Sequence, residues 1–434
     1  MSLTVVGILG ILILILFFMA GIPVAFSMAA VGLIGFSYLI SIDAGLSMLA
    51  IEFFDNFSAY HLTVVPMFIL MGSIAFQSGI SGRLYDAGHS IFGRTRGGLA
   101  IASIFACAGF SAICGSTNAT AAAMGRVALP EMKRYGYDDS LATGTIAAGG
   151  SLGILIPPST LLIIYGILTE QSIGSLFMAG ILPGILLSIL FVLSIIVQCW
   201  LNPSLGPPGP TTTFKEKIVG FAGVAEMLAV FCLVMAGLFV GWFTPTQAGA
   251  AGAGITLFIA LIRGNISWRK FYDALKDTLL ITCMVMLIVT GALIFGRFIA
   301  VTKIPFILSE WLRGLPIPPV ATMAAIIFIH FIGGCFMDSF ALIVLTIPIV
   351  FPVVISLGYD PIWFGIIVII IAEMGVITPP VGINVFVIRG IAEDVPLEKI
   401  FKGVSPFVIA LLVCSILLLL FPEIVTYLPK IMSP

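Results

Sequence analysis

The chain has 434 residues, of which 60% are hydrophobic and only 9% are charged, and its formal net charge is −1. Soluble domains carry roughly 25% charged residues, so this composition excludes a water-soluble globular protein. A chain without net positive charge also lacks the cationic face that binds nucleic acid, which is therefore not an expected partner. The composition predicts an all-α polytopic membrane protein whose outer surface contacts lipid.

The first half of the chain contains apolar stretches long enough to cross a bilayer, which takes about 20 residues. The predicted spans lie near residues 4–20, 22–40, 60–79 and 176–201. Between the last two, segment 97–130 is broken by a small, polar tip and segment 138–172 by a Pro-Pro pair. We expect a re-entrant hairpin over 97–130 and a broken helix over 138–172.

The second half follows the same order. Predicted spans lie near 218–241, 245–262, 278–297 and 404–425, with a hairpin over 318–351 and a broken helix over 361–393. Residues recur at a constant spacing of 222 positions, as in the pairs Pro130/Pro352, Tyr137/Tyr359, Asp138/Asp360, Gly153/Gly375 and Pro157/Pro379. This spacing predicts an internal duplication: a first repeat over 1–201 with scaffold spans in 1–80, a linker over 202–217 and a second repeat over 218–434.

The basic residues predict how the two repeats are inserted. If each hairpin returns to its own side and each broken helix crosses once, each repeat has five crossings. The two repeats then lie upside down relative to each other, with about ten spans and two hairpins in all. In this arrangement 15 of the 19 Lys and Arg residues fall on one side. Since basic residues concentrate on the cytoplasmic side, we expect the linker to be cytoplasmic and both termini to be outside.

The proline pairs indicate what the two breaks do. Pro157-Pro158 and Pro379-Pro380 remove backbone donors, so the residues before them present free carbonyl groups. Interrupted backbone is tolerated within a membrane only where it lines a cavity or is buried in protein, and such carbonyls bind sodium in transporters. The half-helix after each break begins with free N–H groups and partial positive charge, which suits a carboxylate.

Polar residues at membrane depth indicate candidate sites. The first hairpin tip carries Ser116, Thr117, Asn118 and Thr120, whose side chains either face a ligand or bond to their own helix. The second tip carries Asp338, and an acid at this depth is a functional candidate. Glu373 lies two residues before Gly375. Its functional role would be to capture a proton or to support a cation shell. Its structural role would be to cap or pair with a neighbouring helix. Glu226 lies in an apolar span and is not expected to act in transport.

Residues that would indicate an enzyme or a cofactor do not gather in the sequence. The three histidines, His61, His89 and His330, are far apart, and no Cys-x-x-Cys pair occurs. A nucleotide-binding Walker loop is not found either. We expect neither enzymatic activity nor a resident cofactor, and any active transport must draw on an ion gradient or on another subunit.

Four segments together resemble the large membrane subunit of tripartite ATP-independent periplasmic (TRAP) transporters. They are the tip Gly115-Ser116 with its alanine-rich continuation, the break Leu152–Ser159, the tip Gly334–Asp338 and the break Met374–Asn384. The resemblance covers essentially the whole chain, including its length and duplicated plan. It implies an elevator-type architecture, in which a transport domain bearing the hairpins slides against a scaffold domain.

The resemblance also implies a function and partners. Such subunits are sodium-driven importers of organic acids in the bacterial inner membrane, so both termini would be periplasmic. They work with a small four-helix membrane subunit and a periplasmic substrate-binding protein that delivers the substrate. Sodium ions would be the coupling ions, and a C4-dicarboxylate is the default organic anion.

Carried over by position, the resemblance implies two sodium sites with an anion between them. The first sodium site would involve Ser111, Gly115, Ser116, Gly153, Ile156 and Pro157. The second would involve Gly334, Met337, Asp338, Gly375 and Thr378. The anion would lie near Ser116, Thr117, Asn118, Pro158, Ser159, Thr378, Pro380 and Asn384.

Two other transport functions remain open from the sequence. A stand-alone sodium/dicarboxylate symporter of similar two-hairpin design would need no binding protein. A passive channel would not move its solute against a concentration gradient, so such uptake separates it from a coupled carrier.

Overall fold

The computed structural model describes residues 2–209, 214–314 and 318–432. Within these ranges the protein is built from α-helices, with one 3-10 turn over Tyr60–Thr63 and no strand. The predicted all-α class is therefore confirmed. Residues 210–213 of the predicted linker lie outside the described residues.

Eleven helices precede the linker. They are α1 (Leu3–Met19), α2 (Val24–Leu39), α3 (Ile42–Ser58), α4 (Val64–Gln77), α5 (Ile80–Phe92), α6 (Gly98–Cys114), α7 (Thr117–Arg134), α8 (Asp139–Gly150), α9 (Leu152–Leu155), α10 (Thr160–Thr169) and α11 (Ile173–Leu201). The side chains of Ser116, Asp138 and Ser159 accept hydrogen bonds from backbone N–H groups in the first turns of α7, α8 and α10. These residue types satisfy the free donors with which a helix begins.

Ten further helices follow. They are α12 (Phe214–Phe239), α13 (Pro245–Ile262), α14 (Trp268–Thr302), α15 (Ile304–Gly314), α16 (Pro319–Phe336), α17 (Ser339–Ser356), α18 (Pro361–Val376), α19 (Ile383–Arg389), α20 (Leu397–Leu420) and α21 (Glu423–Met432). Helices α17 and α18 begin 222 positions after α7 and α8, at residues 339 and 361 against 117 and 139.

The two halves differ most at α14. This single helix has 35 residues, whereas the corresponding part of the first half is divided into α3, the 3-10 turn and α4. Pro66 lies in the first turn of α4, where its missing N–H leaves no helical bond unmade. The residue 222 positions later is Ile288, which continues the helix. The span predicted over 278–297 is thus longer in the structure.

Several helices are suited to a bilayer. Among the described residues, seven helices are long and apolar enough to cross, or up to eight if the bent pair Asp139–Leu155 and Thr160–Thr169 forms one span. This pair bends by 41° at the first Pro-Pro break. Five shorter apolar helices or helix parts, which include α1, α2, α6 and α18, accompany them. The total of about ten spans stays a prediction.

Contacts at one end of the molecule close the first hairpin and join the two halves. The backbone N–H of Leu99, at the start of α6, donates to the Tyr137 hydroxyl just beyond α7 at 3.0 Å. The hairpin of α6 and α7 therefore returns to the side from which it begins. On this same side the Lys399 ammonium lies 2.9 Å from Asp139 Oδ2 and 3.6 Å from Asp138 Oδ2.

Other ion pairs lie away from the hairpins. Glu226 on α12 pairs with Arg263 and lies 3.7 Å from Arg83 Nη2. The sequence shows no polar companion close to Glu226, but the fold brings two arginines to it from α5 and the end of α13. Elsewhere, Arg297 Nε on α14 lies 2.7 Å from Glu52 Oε1 on α3.

Candidate functional site

The first hairpin tip packs its backbone directly on the first break. Gly115 ends α6 with a positive φ of 62°, which glycine adopts without strain. Its carbonyl accepts hydrogen bonds from Thr160 at the start of α10, from the backbone N–H at 3.3 Å and from Oγ1 at 2.8 Å. A Cβ on Gly153 would lie 2.5 Å from the Ser116 carbonyl oxygen, so this approach requires glycine.

The second tip meets the second break in the same way. A Cβ on Gly375 would lie 2.5 Å from the carbonyl carbon of Gly334. Beyond the break, the N–H of Val381 donates to the carbonyl of Cys335 at 3.2 Å. Asp338 caps α17, with Oδ2 accepting from the N–H of Phe340 at 3.0 Å. Each hairpin is therefore tied to the broken helix of its own half.

One carboxylate connects the two tips. Glu373 on α18 is only 3% exposed. Its Oε2 accepts a hydrogen bond from Thr117 Oγ1 at 3.1 Å, and its Oε1 accepts one from Ser339 Oγ at 2.6 Å. Thr117 and Ser339 are the first residues of α7 and α17 and are 222 positions apart. Residues at equivalent places in the two halves thus bind opposite oxygens of a single acid.

A small pocket lies at this meeting point. It is lined by Ser116, Thr117, Asn118, Ile154, Asp338, Ser339, Phe340, Glu373 and Val376. Both hairpin tips therefore contribute to it, and helices α7 and α17 begin at its wall. Two of its lining side chains, Asp338 and Glu373, are acids, and none of its described lining residues is basic.

The structure brings the predicted sodium ligands of each half into one neighbourhood. In the first half, Ser111, Gly115, Gly153 and Pro157 are buried, with Ser116 and Ile156 partly exposed. The Ser111 Oγ has no hydrogen-bond partner among the described residues. In the second half, Thr378 Oγ1 donates to the carbonyl of Met374 at 2.6 Å, which leaves the hydroxyl oxygen able to accept or coordinate.

The residues predicted around the anion divide into two groups. Ser116, Thr117 and Asn118 line the pocket. Pro158, Ser159, Thr378, Pro380 and Asn384 do not line it. Asn384 instead donates through Nδ2 to the carbonyl of Ala147 at 3.3 Å, while its buried Oδ1 has no partner among the described residues. Three of the eight predicted anion ligands therefore lie at this pocket.

Sequence reasoning missed two residues of this pocket region. Ser339 follows Asp338 and was not singled out, and Ser151 faces the Glu373 carboxylate from the first half. The repeat spacing contained the signal for both. Thr117 plus 222 positions gives Ser339, and Glu373 minus 222 positions gives Ser151.

Comparisons with known proteins agree with this architecture. A family model described as "Tripartite ATP-independent periplasmic transporter, DctM component" matches residues 11–424. The C4-dicarboxylate TRAP transporter large permease protein DctM of Pseudomonas aeruginosa is 34% identical over 384 residues, which cover 88% of each chain. The sialic acid TRAP transporter large permease protein SiaM of Vibrio cholerae is 30% identical, over 95% of this chain and 96% of the relative.

A solved structure shows the same fold. The YdaH transporter of Alcanivorax borkumensis aligns with a TM-score of 0.64 over 89% of this chain and 90% of its own. Its sequence identity is 16%. The likeness therefore supports the fold alone.

Proposed function

The chain belongs to the DctM component family of tripartite ATP-independent periplasmic transporters, and we propose that it couples inward sodium flow to uptake of a small organic anion. As a large permease subunit it is a multi-pass protein of the bacterial inner membrane and a transporter rather than an enzyme. Sodium coupling, the substrate, the partners of this chain and its elevator-type movement are the parts that we propose.

The acidic pocket between the hairpin tips carries the proposal. Asp338 and Glu373 line it without a basic side chain among its described lining residues. Two unit charges at 4 Å repel or attract by about 4 kcal/mol at an effective dielectric constant near 20. An organic anion entering beside ionised carboxylates is therefore repelled unless a cation, either sodium or a proton, neutralises them first. This requirement makes anion uptake depend on cations.

Helix ends supply the attraction for the anion itself. Helices α7 and α17 begin at the pocket with Thr117 and Ser339, and each presents the positive end of its dipole there. Backbone N–H groups at such ends bind anions without an arginine. We propose that cations at the two tip–break contacts add to this field, so that the anion is held by backbone donors and bound sodium.

The names of two relatives guide the choice of substrate. One is a C4-dicarboxylate permease and the other a sialic acid permease. Both substrates carry at least one carboxylate, which is the group that helix ends and sodium recognise. We propose a C4-dicarboxylate as the first compound to test, together with delivery by a periplasmic binding protein and assembly with a small four-helix membrane subunit.

Reconstitution in proteoliposomes tests the proposal. The large subunit, the small subunit and a substrate-loaded binding protein are combined, and uptake of radiolabelled C4-dicarboxylate or sialic acid is followed under an inward sodium gradient. We expect accumulation against a concentration gradient that collapses when potassium replaces sodium. Uptake that persists unchanged without a sodium gradient contradicts the coupling. Full uptake without the binding protein favours a stand-alone symporter instead.

A further inference from the structure

The Glu373 carboxylate is incompletely compensated. It is 3% exposed, and the hydroxyl groups of Thr117 and Ser339 donate one hydrogen bond to each of its oxygens. Burying an ionised carboxylate in an apolar medium is costly unless a countercharge is close. Two neutral donors reduce that cost but do not cancel the charge.

The charged group that faces Glu373 increases the need for a cation. Asp338, at the tip of the second hairpin, is that group, and it is an acid too. Both line the same pocket, whose described lining residues include no lysine, arginine or histidine. Like charges in one small pocket raise each other's electrostatic energy. The electrostatic potential in the pocket therefore favours a positive ion.

One buried hydroxyl group points to the place of that ion. Ser151 is 1% exposed and its hydroxyl faces the Glu373 carboxylate, but no hydrogen bond of standard geometry joins its Oγ to the described residues. Buried polar atoms are nearly always satisfied, so such exceptions indicate a missing partner.

We propose that Glu373 and Ser151 bind a sodium ion of their own, separate from the sodium sites implied at the two tip–break contacts. Glu373 and Ser151 occupy equivalent positions of the two repeats, and so do Thr117 and Ser339. The ion lies where the two repeats meet, and Thr117 and Ser339 orient the carboxylate that holds it. This inference rests on the proposed sodium coupling and adds one ion to it.

Counting bound sodium tests the inference. The purified complex of large and small subunits is equilibrated with radioactive sodium, and the ions bound per complex are compared between wild type and Glu373→Gln. Glutamine keeps the size of the side chain but removes its charge. We expect the variant to bind one sodium ion fewer. The matched control is Glu226→Gln, which removes a membrane acid that is paired with arginines, and we expect it to bind the wild-type number.

A second variant decides the question even if Glu373→Gln fails to fold. Glu373→Asp keeps the charge but withdraws it by one methylene, so the number of ions should be retained while the sodium concentration for half-saturation rises roughly tenfold. Wild-type ion numbers in Glu373→Gln, or an unchanged half-saturation in Glu373→Asp, overturn the inference. If the wild type itself binds no sodium, the proposed coupling fails before this inference is reached.

Discussion

In the first half of the protein the prolines of the break, Pro157 and Pro158, are buried, whereas their counterparts Pro379 and Pro380 are exposed. The backbone contact between tip and break is nevertheless almost the same in both halves. Gly153 and Gly375 would each place a Cβ 2.5 Å from backbone atoms of the facing tip. The two halves thus share the contact between tip and break and differ in the residues that cover it.

Helix α11 covers the first break. A Cβ on Gly180 would lie 2.5 Å from the Leu155 carbonyl oxygen, and a Cβ on Gly184 would lie 2.7 Å from Ile156 Cγ1. Helix α10, which follows that break, is buried through its first seven residues. Helix α19, which follows the second break, has only seven residues and exposes Phe386. Burial of a break therefore depends on the helices around it, whereas the contact between break and tip is almost the same in both halves.

The largest effect is expected from filling either tip–break contact. Gly153→Val and Gly375→Val each place atoms against backbone that has no room to move. Overpacking of this kind costs about 1–3 kcal/mol in cores, and here it also separates the tip from the break, so we expect uptake to be lost in both variants. Proteoliposome uptake and thermal unfolding of the purified protein measure the two effects.

The control for these variants is Gly254→Val in α13. Nothing lies within 4 Å of a Cβ at this position, so uptake should be retained. Normal uptake in Gly375→Val with loss in Gly153→Val would show that the contact matters only where it is buried.

A smaller effect is expected from single hydroxyl groups at the two predicted sodium sites. Ser116→Ala at the first site and Thr378→Ala at the second each remove a candidate oxygen ligand. We expect the sodium concentration for half-maximal uptake to rise roughly tenfold in each. Thr378→Ser retains the hydroxyl and should resemble the wild type. Unaltered sodium dependence in both alanine variants contradicts the placement of the ions.

The difference in exposure between the breaks predicts a difference in chemical reactivity. Ser159 is fully buried and its counterpart Val381 is partly exposed. In a background in which the exposed Cys232 and Cys283 are replaced by serine, Val381→Cys should react with a maleimide much faster than Ser159→Cys. Mass spectrometry of the labelled protein measures both rates. Equal rates would mean that the two breaks are equally accessible in the membrane.

The smallest effect is expected from the residues that cap the starts of the two broken helices. Burial opposes ionisation of Asp138, but hydrogen bonds from Ser140 and the Lys399 ammonium lower its pKa below the ordinary value. Its stabilisation is therefore present above about pH 4 and is lost as the pH falls through the lowered pKa. We expect Asp138→Asn to reduce the free energy of unfolding by about 0.2–1 kcal/mol at neutral pH.

Asp360 provides the matched comparison for this prediction. It caps α18 through a hydrogen bond of 2.8 Å from the N–H of Trp363, but it forms no ion pair with the described part of the chain. Asparagine is also a good N-cap, so Asp360→Asn should change thermal stability less than Asp138→Asn. A larger loss at Asp360 would show that capping, and not the ion pair, dominates.

Much of this architecture is predictable because its signals are local. Glycines mark the tips and breaks because the backbones approach too closely there for a side chain. Proline pairs mark the breaks because they interrupt the helix. The 222-residue spacing identifies equivalent positions even where the residue types differ. An acid within an apolar segment, such as Asp338, is a local signal too.

Other features depend on contacts that are distant in sequence. Thr117 and Glu373 are 256 positions apart, and no local pattern shows that they form a hydrogen bond. The arginine partners of Glu226 come from two other helices. The sequence leaves open whether Glu373 captures a proton, supports a cation shell or pairs with a neighbouring helix. Only the structure shows that hydroxyl groups of both hairpin tips donate hydrogen bonds to its carboxylate.

Helix α14 imposes a geometric condition on the surrounding lipid. At 1.5 Å per residue its 35 residues measure about 52 Å, against about 30 Å for the hydrocarbon layer. Its first ten residues include Arg269, Lys270, Asp273, Lys276 and Asp277, which keep that end in water. The next charged residue is Arg297, so the apolar stretch after Asp277 has 19 residues and measures about 28 Å. This stretch matches the hydrocarbon layer, and the helix therefore extends beyond the layer at both of its ends.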